Sequence, residues 1–438
     1  MGYCFGKMTR EELYDVFQRH PSICTDSRKI IEGSIFFALR GDCFDGNSFA
    51  REAIQKGCTY AVVDDPGVVM NERFLLVGNV LDSLQELAIL HRQHVQVTVL
   101  AITGTNGKTT TKELCAAILS TQYHTVATRG NLNNHIGVPL TILSIHDDTD
   151  IAIVEMGASH PGEIRQLCQI AQPDLGLITN IGRAHLEGFG SFEGVISAKK
   201  ELYDYIRDNG GTLFVNSDDE LLESLSASVP RITYGTSGHA SVRGACPLPD
   251  PYLTVRIFPE EAGQEMFVAT QLTGRYNLEN VLAAWAVGNY FHVRAGRMAR
   301  AISDYVPANM RSQVINTTHN RVILDAYNAN PSSMEAALRN FASLDGHDKW
   351  LILGDMLELG SFSSDEHGRI MALATELGLL KGILIGEQFS RTTVPDGFRT
   401  FPGVSEARSH LEMNPIRNGT VLVKGSRAIG LEWLTDLL

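Results

Sequence analysis

The stretch Val97-Thr98-Val99-Leu100-Ala101-Ile102-Thr103-Gly104-Thr105-Asn106-Gly107-Lys108-Thr109-Thr110-Thr111 decides the fold. Its first part is apolar and rich in β-branched residues, which predicts a buried strand. Lys112-Glu113-Leu114-Cys115-Ala116-Ala117-Ile118-Leu119 follows, with helix formers and apolar side chains near helical spacing. Strand, Gly-rich turn, Lys-Thr and helix is the layout of a phosphate-binding loop. Glycines let backbone N–H groups approach phosphate oxygens, and the helix N-terminus adds partial positive charge. Lys108 supplies a mobile full charge, and the Thr109 hydroxyl is placed for Mg²⁺. The common loop has four residues between its glycines. Gly104 and Gly107 enclose only Thr105 and Asn106, so this is a short variant.

Working outward, the strands downstream of the loop end in polar residues. Ile151-Ala152-Ile153-Val154 ends in Glu155, Asp174 to Ile178 leads to Thr179-Asn180, and Thr212 to Val215 ends in Asn216. In an open α/β sheet, ligands sit beyond the carboxyl ends of strands. These groups are therefore expected to converge on the loop, with Glu155 as a second Mg²⁺ contact. Two polar loops lie between the strands. Residues 129–137 are rich in Asn, and residues 180–190 hold His185, read either as structural or as a metal or phosphate contact. Lys199-Lys200-Glu201, on a helix from about Phe192, reads as a solvated face. Residues 240–272 carry Pro247, Pro249 and Pro251 and predict a small antiparallel insertion. Asn277 and Asn280 open the next helix as candidate caps.

The flanks are α/β as well. Before the loop, Thr9 and Glu12 form a capping box, and Asp26-Ser27-Arg28 is either an anion contact or a surface turn. After about residue 308, βα alternation resumes without a phosphate loop, and Asn330-Pro331 predicts a helix start. At about 100–200 residues per domain, 438 residues require several domains. The expected class is α/β in three domains. They are a small mixed α/β unit over 1–94, a central doubly wound P-loop ATPase-type unit over 95–307, and a Rossmann-like unit over 308–438.

A net charge of −13 argues against nucleic acid as partner. The seven cysteines are scattered, from Cys4 to Cys246, with no Cys-x-x-Cys pair, as in buried thiols of a reducing compartment. With no signal segment and no run of about 18 apolar residues, the chain is expected to be cytoplasmic, without membrane insertion, and monomeric.

The short loop resembles that of the Mur ligases, the ATP-dependent amino-acid-adding enzymes of peptidoglycan precursor synthesis. Gly130-Asn131-Leu132-Asn133-Asn134, Asn180-Ile181-Gly182, Ala184-His185-Leu186-Glu187, Asp325 to Met334, Gly354 to Gly360 and Lys424-Gly425-Ser426-Arg427 also look like this family. They resemble the branch that adds D-alanyl-D-alanine to a UDP-N-acetylmuramoyl tripeptide. The Asp-Asn-Pro-Arg signature of the branch that adds the third residue is absent. Another amide ligase on the same scaffold, of position-three or folylpolyglutamate type, is the alternative.

The resemblance implies that Lys108 and the backbone of Gly104, Thr105, Asn106, Gly107, Thr109 and Thr110 hold ATP phosphates. Asn280, Arg311 and Asp325 would also contact ATP. It implies two Mg²⁺ ions, one on Thr109 and Glu155, the other on His185 and a CO₂-derived carbamate of Lys199. Lys108, His185 and Lys199 would serve catalysis. Asn133, Asn134 and Ser159 would lie around the UDP-linked peptide, with Ser27 and Arg28 towards its uridine end. The implied reaction runs through an acyl phosphate.

Overall fold

The β-branched run before the loop forms the strand Thr98–Thr103, and the helix formers after it form the helix Lys108–Leu119. The structure, a computed structural model, describes all residues except 1–5, 42, 248–251, 259–264, 308–309 and 347. Cys4, Pro249 and Pro251, named above, lie outside the described residues. Among the described residues, the strands gather into three larger sheets and one small hairpin.

The central sheet has nine strands. From one edge they run Met266–Thr273, Tyr252–Phe258, Val242–Ala245, Arg231–Gly235, Thr212–Asn216, Leu175–Ile178, Thr98–Thr103, Ile151–Glu155 and Thr125–Ala127. The strands from Val242–Ala245 to Thr125–Ala127 pair in parallel. Thr98–Thr103 is followed in sequence by strands on one side of it, and Leu175–Ile178 then lies on the other. The loop after Thr103 therefore opens at a topological switch point, where such sheets bind ligands.

The segment expected as a small antiparallel insertion is antiparallel and joins the central sheet. Its strands pair antiparallel with one another. Val242–Ala245, however, continues the main ladder through Arg231–Gly235. An edge strand presents unpaired N–H and C=O groups, and this extension pairs them.

Before the central sheet, a four-stranded parallel sheet joins Ile23–Cys24, Ile35–Phe37, Tyr60–Val63 and Phe74–Leu76. The capping box at Thr9 and Glu12 opens the helix Arg10–Arg19. The helix Val80–His94 carries Leu84, Leu87 and Ala88 into a core shared with Val138, Ile142 and Leu167 of the central unit.

After the central sheet come six strands in the order Gln313–Asn316, Arg321–Asp325, Thr420–Lys424, Lys349–Gly354, Gly382–Ile385 and Phe398–Phe401. The first pairs antiparallel and the rest in parallel. The helix Pro331–Ser343 starts at the Asn330 cap, as the Asn-Pro pair predicts. Leu186, Phe189, Val195 and Ala198 of the central unit belong to the same hydrophobic cluster as Met334, Leu338 and Leu353. The last unit is thus seated on the central one. Among the described residues, no helix is long and apolar enough to cross a membrane.

Candidate active site

The phosphate loop is braced from below. Gly104 has φ +142°, and a Cβ there would lie 2.0 Å from Thr179 Oγ1. Gly107 has φ +80°, and a Cβ there would lie 2.4 Å from Asn280 Oδ1. Both positions need glycine for conformation and for space. The Thr105 N–H donates to the Asn180 carbonyl at 2.9 Å. The Asn106 N–H donates to Asn180 Oδ1 at 3.0 Å. The Asn106 carbonyl accepts from Thr179 Oγ1 at 2.6 Å and Asn180 Nδ2 at 3.1 Å. These two N–H groups are committed to the strand end Thr179-Asn180. The turn from Gly107 to Thr110, at the helix N-terminus, is what remains to face an anion.

Lys108 Nζ folds back onto the carbonyls of Gly104, at 2.6 Å, and Thr105, at 3.0 Å. Burial, opposed by Glu155 and helped by Arg311, lowers its pKa to about 8. An ammonium with this shift gains from a nearby polyanion.

Glu155 is 1% exposed. Its Oε1 accepts from Thr109 Oγ1 at 3.2 Å and from Asn133 Nδ2 at 2.8 Å. Its Oε2 is buried without a hydrogen-bond partner, and Lys112 Nζ lies 3.9 Å away. Among the described residues, no group of three or more His, Cys, Asp and Glu could hold a metal. A buried, unsatisfied carboxylate oxygen beside a threonine hydroxyl fits a hard divalent cation. Glu155→Gln is therefore expected to raise the Mg²⁺ concentration for half-maximal ATP turnover about ten-fold or more, measured by titrating Mg²⁺ at fixed ATP.

His185 has φ +51°, uncommon for a residue with a Cβ. Its Nδ1 pairs with the Glu358 carboxylate of the last unit. Glu358 is itself left-handed, φ +63°, and its pairing with His185 lowers its pKa. Strained residues persist where the surroundings over-determine them. Here the two meet across the boundary between units. Lys199 is 3% exposed, and burial lowers its pKa to about 7, helped by the charge on Lys108. The reading of Lys199 as a solvated helical lysine is thereby overturned. Lys200, one helix step on, pairs with Asp204 and is partly exposed. The Phe189 ring borders both candidate ligands, with its centroid 6.4 Å from that of His185 and 5.8 Å from Lys199 Nζ.

The last unit closes the other wall. The Arg311 guanidinium carbon lies 3.8 Å from the centroid of the Tyr327 ring, and its Nε is buried without a partner. Asp325 accepts from Lys424 Nζ at 2.6 Å and from the Ser312 N–H at 3.2 Å. A cavity of about 810 Å³ joins these groups. It is lined by Thr105, Asn106, Gly107, Lys108, Thr109, Thr110, Asn133, Asn134, Glu155, Ser159, His185, Asn280, Arg311 and Asp325.

Four of the expected residues do not line this cavity. Gly104 and Lys199 lie behind its wall, against Thr179 and Phe189. Ser27 and Arg28 sit elsewhere, and Arg28 forms a bidentate pair with Asp26 at 2.8 and 2.9 Å on an exposed turn. Some side chains that do line it are already engaged. Asn134 Oδ1 accepts the N–H groups of Ile136 and Gly137, a turn-capping role. Neither Asn277 nor Asn280 is a cap. Tyr276 takes that position without a side-chain bond, and Asn277 Nδ2 reaches back to the Thr273 carbonyl. Asn280 is buried a turn inside, donating to Asn277 Oδ1 and accepting from Thr111 Oγ1.

Thr179-Asn180, a strand end expected to converge on the loop, braces it. The cavity wall Glu358 and the bridge from Asn330 to Asn106 at 2.9 Å were missed as site residues.

Three family descriptions cover most of the chain. "Mur ligase family, catalytic domain" matches residues 21–99, "Mur ligase middle domain" 102–288, and "Mur ligase, glutamate ligase domain" 310–427. The UDP-N-acetylmuramoyl-tripeptide–D-alanyl-D-alanine ligase of Bacillus subtilis (strain 168) is 34% identical over 429 residues, covering 94% of this chain and 91% of that protein. The chain belongs to the Mur ligase family. A crystal structure of MurF from Acinetobacter baumannii matches this Mur ligase with TM-score 0.85 at 30% identity, covering 99% of both chains. The MurF ligase of Thermotoga maritima, solved with ADP, shares the fold at TM-score 0.83 and 24% identity over 97% of both.

Proposed function

We propose that this Mur ligase uses ATP to join D-alanyl-D-alanine to a UDP-N-acetylmuramoyl tripeptide, giving the pentapeptide precursor of peptidoglycan. The observation that carries the reading is the match along nearly the whole chain to a ligase of that name. The cavity supports it, because it sets a phosphate loop against polar strand ends of the last unit. The tripeptide carboxylate attacks the γ-phosphorus of ATP, and ADP leaves. The amine of the dipeptide then attacks the acyl carbon, loses a proton, and phosphate leaves as the amide forms.

In this reading the units over 1–94, 95–307 and 308–438 take the UDP substrate, ATP and the dipeptide respectively. Ser27 and Arg28 contact the uridine end from outside the described cavity, and Asn133, Asn134 and Ser159 lie along the peptide. The turn Gly107–Thr110 and Lys108 hold the β- and γ-phosphates, and Arg311 reaches them from the last unit. Asn280 and Asp325 border the nucleotide. Thr109 and Glu155 would hold one Mg²⁺. His185 and a carbamate on Lys199 would hold the second. The carbamate forms when the neutral amine adds CO₂ and releases a proton, and the lowered pKa of Lys199 supplies that neutral amine. The chemistry Mg²⁺ would supply there is to offset the charge between two anionic reactants. Closure of the three units around the cavity would keep water from the acyl phosphate.

Phosphate release tested with D-alanyl-D-alanine, a diamino acid and glutamate separates the ligase types. Stimulation by the dipeptide alone is expected. Stimulation by the diamino acid or glutamate in its place would overturn the substrate assignment.

A further inference from the structure

Asn330 does two things, and only one of them is a cap. Its Oδ1 accepts the Ser333 N–H at 2.8 Å, and Ser333 Oγ accepts the Asn330 N–H at 3.1 Å. This reciprocal box satisfies the start of the helix Pro331–Ser343. A cap needs only an acceptor oxygen, so Asp or Ser serves there as well as Asn. The amide Nδ2 is surplus to that task. It donates to Asn106 Oδ1 at 2.9 Å, across the boundary between the last unit and the phosphate loop. The bond to Ser333 fixes which amide atom faces which way.

Asn106 is held at its root. Its N–H and its carbonyl are bonded to Thr179 and Asn180, the end of the neighbouring strand. Its side chain therefore has few positions, and the Asn330 amide meets it in one of them. A second contact seats the same helix turn. Ser332 Oγ accepts the Arg183 N–H at 2.8 Å, and a Cβ on Gly182 would lie 2.6 Å from Ser332 Oγ. The first turn of the helix thus rests on two loops that follow adjacent strands, Thr98–Thr103 and Leu175–Ile178. Asn330, Ser332 and Ser333 line the cavity together with Lys108.

We propose that Asn330 is a positioning residue for ATP use: through Asn106 it seats the last unit against the phosphate loop, so that closure depends on the loop's shape. The proposal rests on the ATP-dependent reading above, but not on the identity of the dipeptide. When the loop holds phosphates with Asn106 in this place, the Asn330 amide gains its acceptor and Arg311 and Glu358 are carried to the site. When Asn106 is displaced, the amide is left buried without a partner, which opposes closure.

The test uses Asn330→Asp, Asn106→Ala and their combination in the full chain. Asn330→Asp keeps the cap but sets two acceptor oxygens face to face. Three readouts apply: thermal melting, the KM for ATP against kcat, and calorimetric affinity for the imido analogue of ATP with Mg²⁺. Asn330→Asp is expected to raise KM and weaken analogue binding about ten-fold, to change kcat less, and to leave melting unchanged. Asn106→Ala does the same, and the double variant is no worse than the poorer single one. Wild-type KM and affinity in Asn330→Asp, or single effects that multiply in the double variant, would overturn the proposal. If Asn330→Asp melts early, Asn330→Ser, a capping residue too short to bridge, decides by the same criteria. The analogue isotherm needs no dipeptide. Failure to ligate D-alanyl-D-alanine would therefore sink the substrate assignment and leave this result readable.

Discussion

Lys108→Ala is expected to lower dipeptide-dependent ATP turnover by about a thousand-fold, with melting shifted by no more than a few degrees. Among the described residues, its ammonium hydrogen-bonds two carbonyls of its own loop, Gly104 and Thr105. Thr105 lines the cavity, where water can replace the ammonium at its carbonyl. The loop's shape comes instead from Gly104, Gly107 and the brace at Thr179-Asn180. What the variant loses is charge. Lys108 is buried, and without a nucleotide its pKa is lowered to about 8. Phosphates beside it favour the charged form and raise that pKa. ATP binding above about pH 8 should therefore take up a proton, read by calorimetry in buffers of different ionisation enthalpy, and Lys108→Ala should abolish the uptake. Turnover within ten-fold of the parent would show that Arg311 and the helix N-terminus suffice.

Local patterns carried much of this site. The loop, the strand end at Glu155 and the Asn330-Pro331 start are each written within a few consecutive residues, and each folds as read. Groups whose meaning depends on a distant partner were misread or missed. Asn280 looks like a cap beside its own helix start, but Thr111 engages its side chain. Asn133 is a loop amide until Glu155 is folded against it. The antiparallel strands read only as an insertion, because pairing with Arg231–Gly235 leaves no mark on composition. Lys199 is the instructive case. Val195, Ala198, Leu202 and Ile206 form a buried stripe at helical spacing, and Lys199 falls on it, a turn after Val195. The stripe was legible, but the adjacent lysine and glutamate suggested a wet face.

Lys199→Ala is expected to lose ligation by about a hundred-fold or more, with partial recovery on adding formate or acetate. Burial and the nearby Lys108 charge hold its pKa near 7, against 10.5 for the ordinary side chain. An ammonium cannot ligate a cation, whereas a carbamate presents an anionic oxygen. Only the neutral amine adds CO₂, so activity after incubation with bicarbonate should fall as the pH drops below about 7. Stability gives an independent reading. Between about pH 7 and 10.5 the unfolded chain binds a proton at this position that the uncarbamylated folded chain lacks. Stability of CO₂-depleted protein should therefore rise with pH across that window, and below it the full cost of a buried ammonium applies. Lys199→Met removes the titrating group and should flatten that rise while raising stability at pH 7. The two results separate the roles. Full activity in Lys199→Ala without added carboxylate would end the carbamate assignment. An unchanged stability slope in Lys199→Met would mean that the amine reaches solvent.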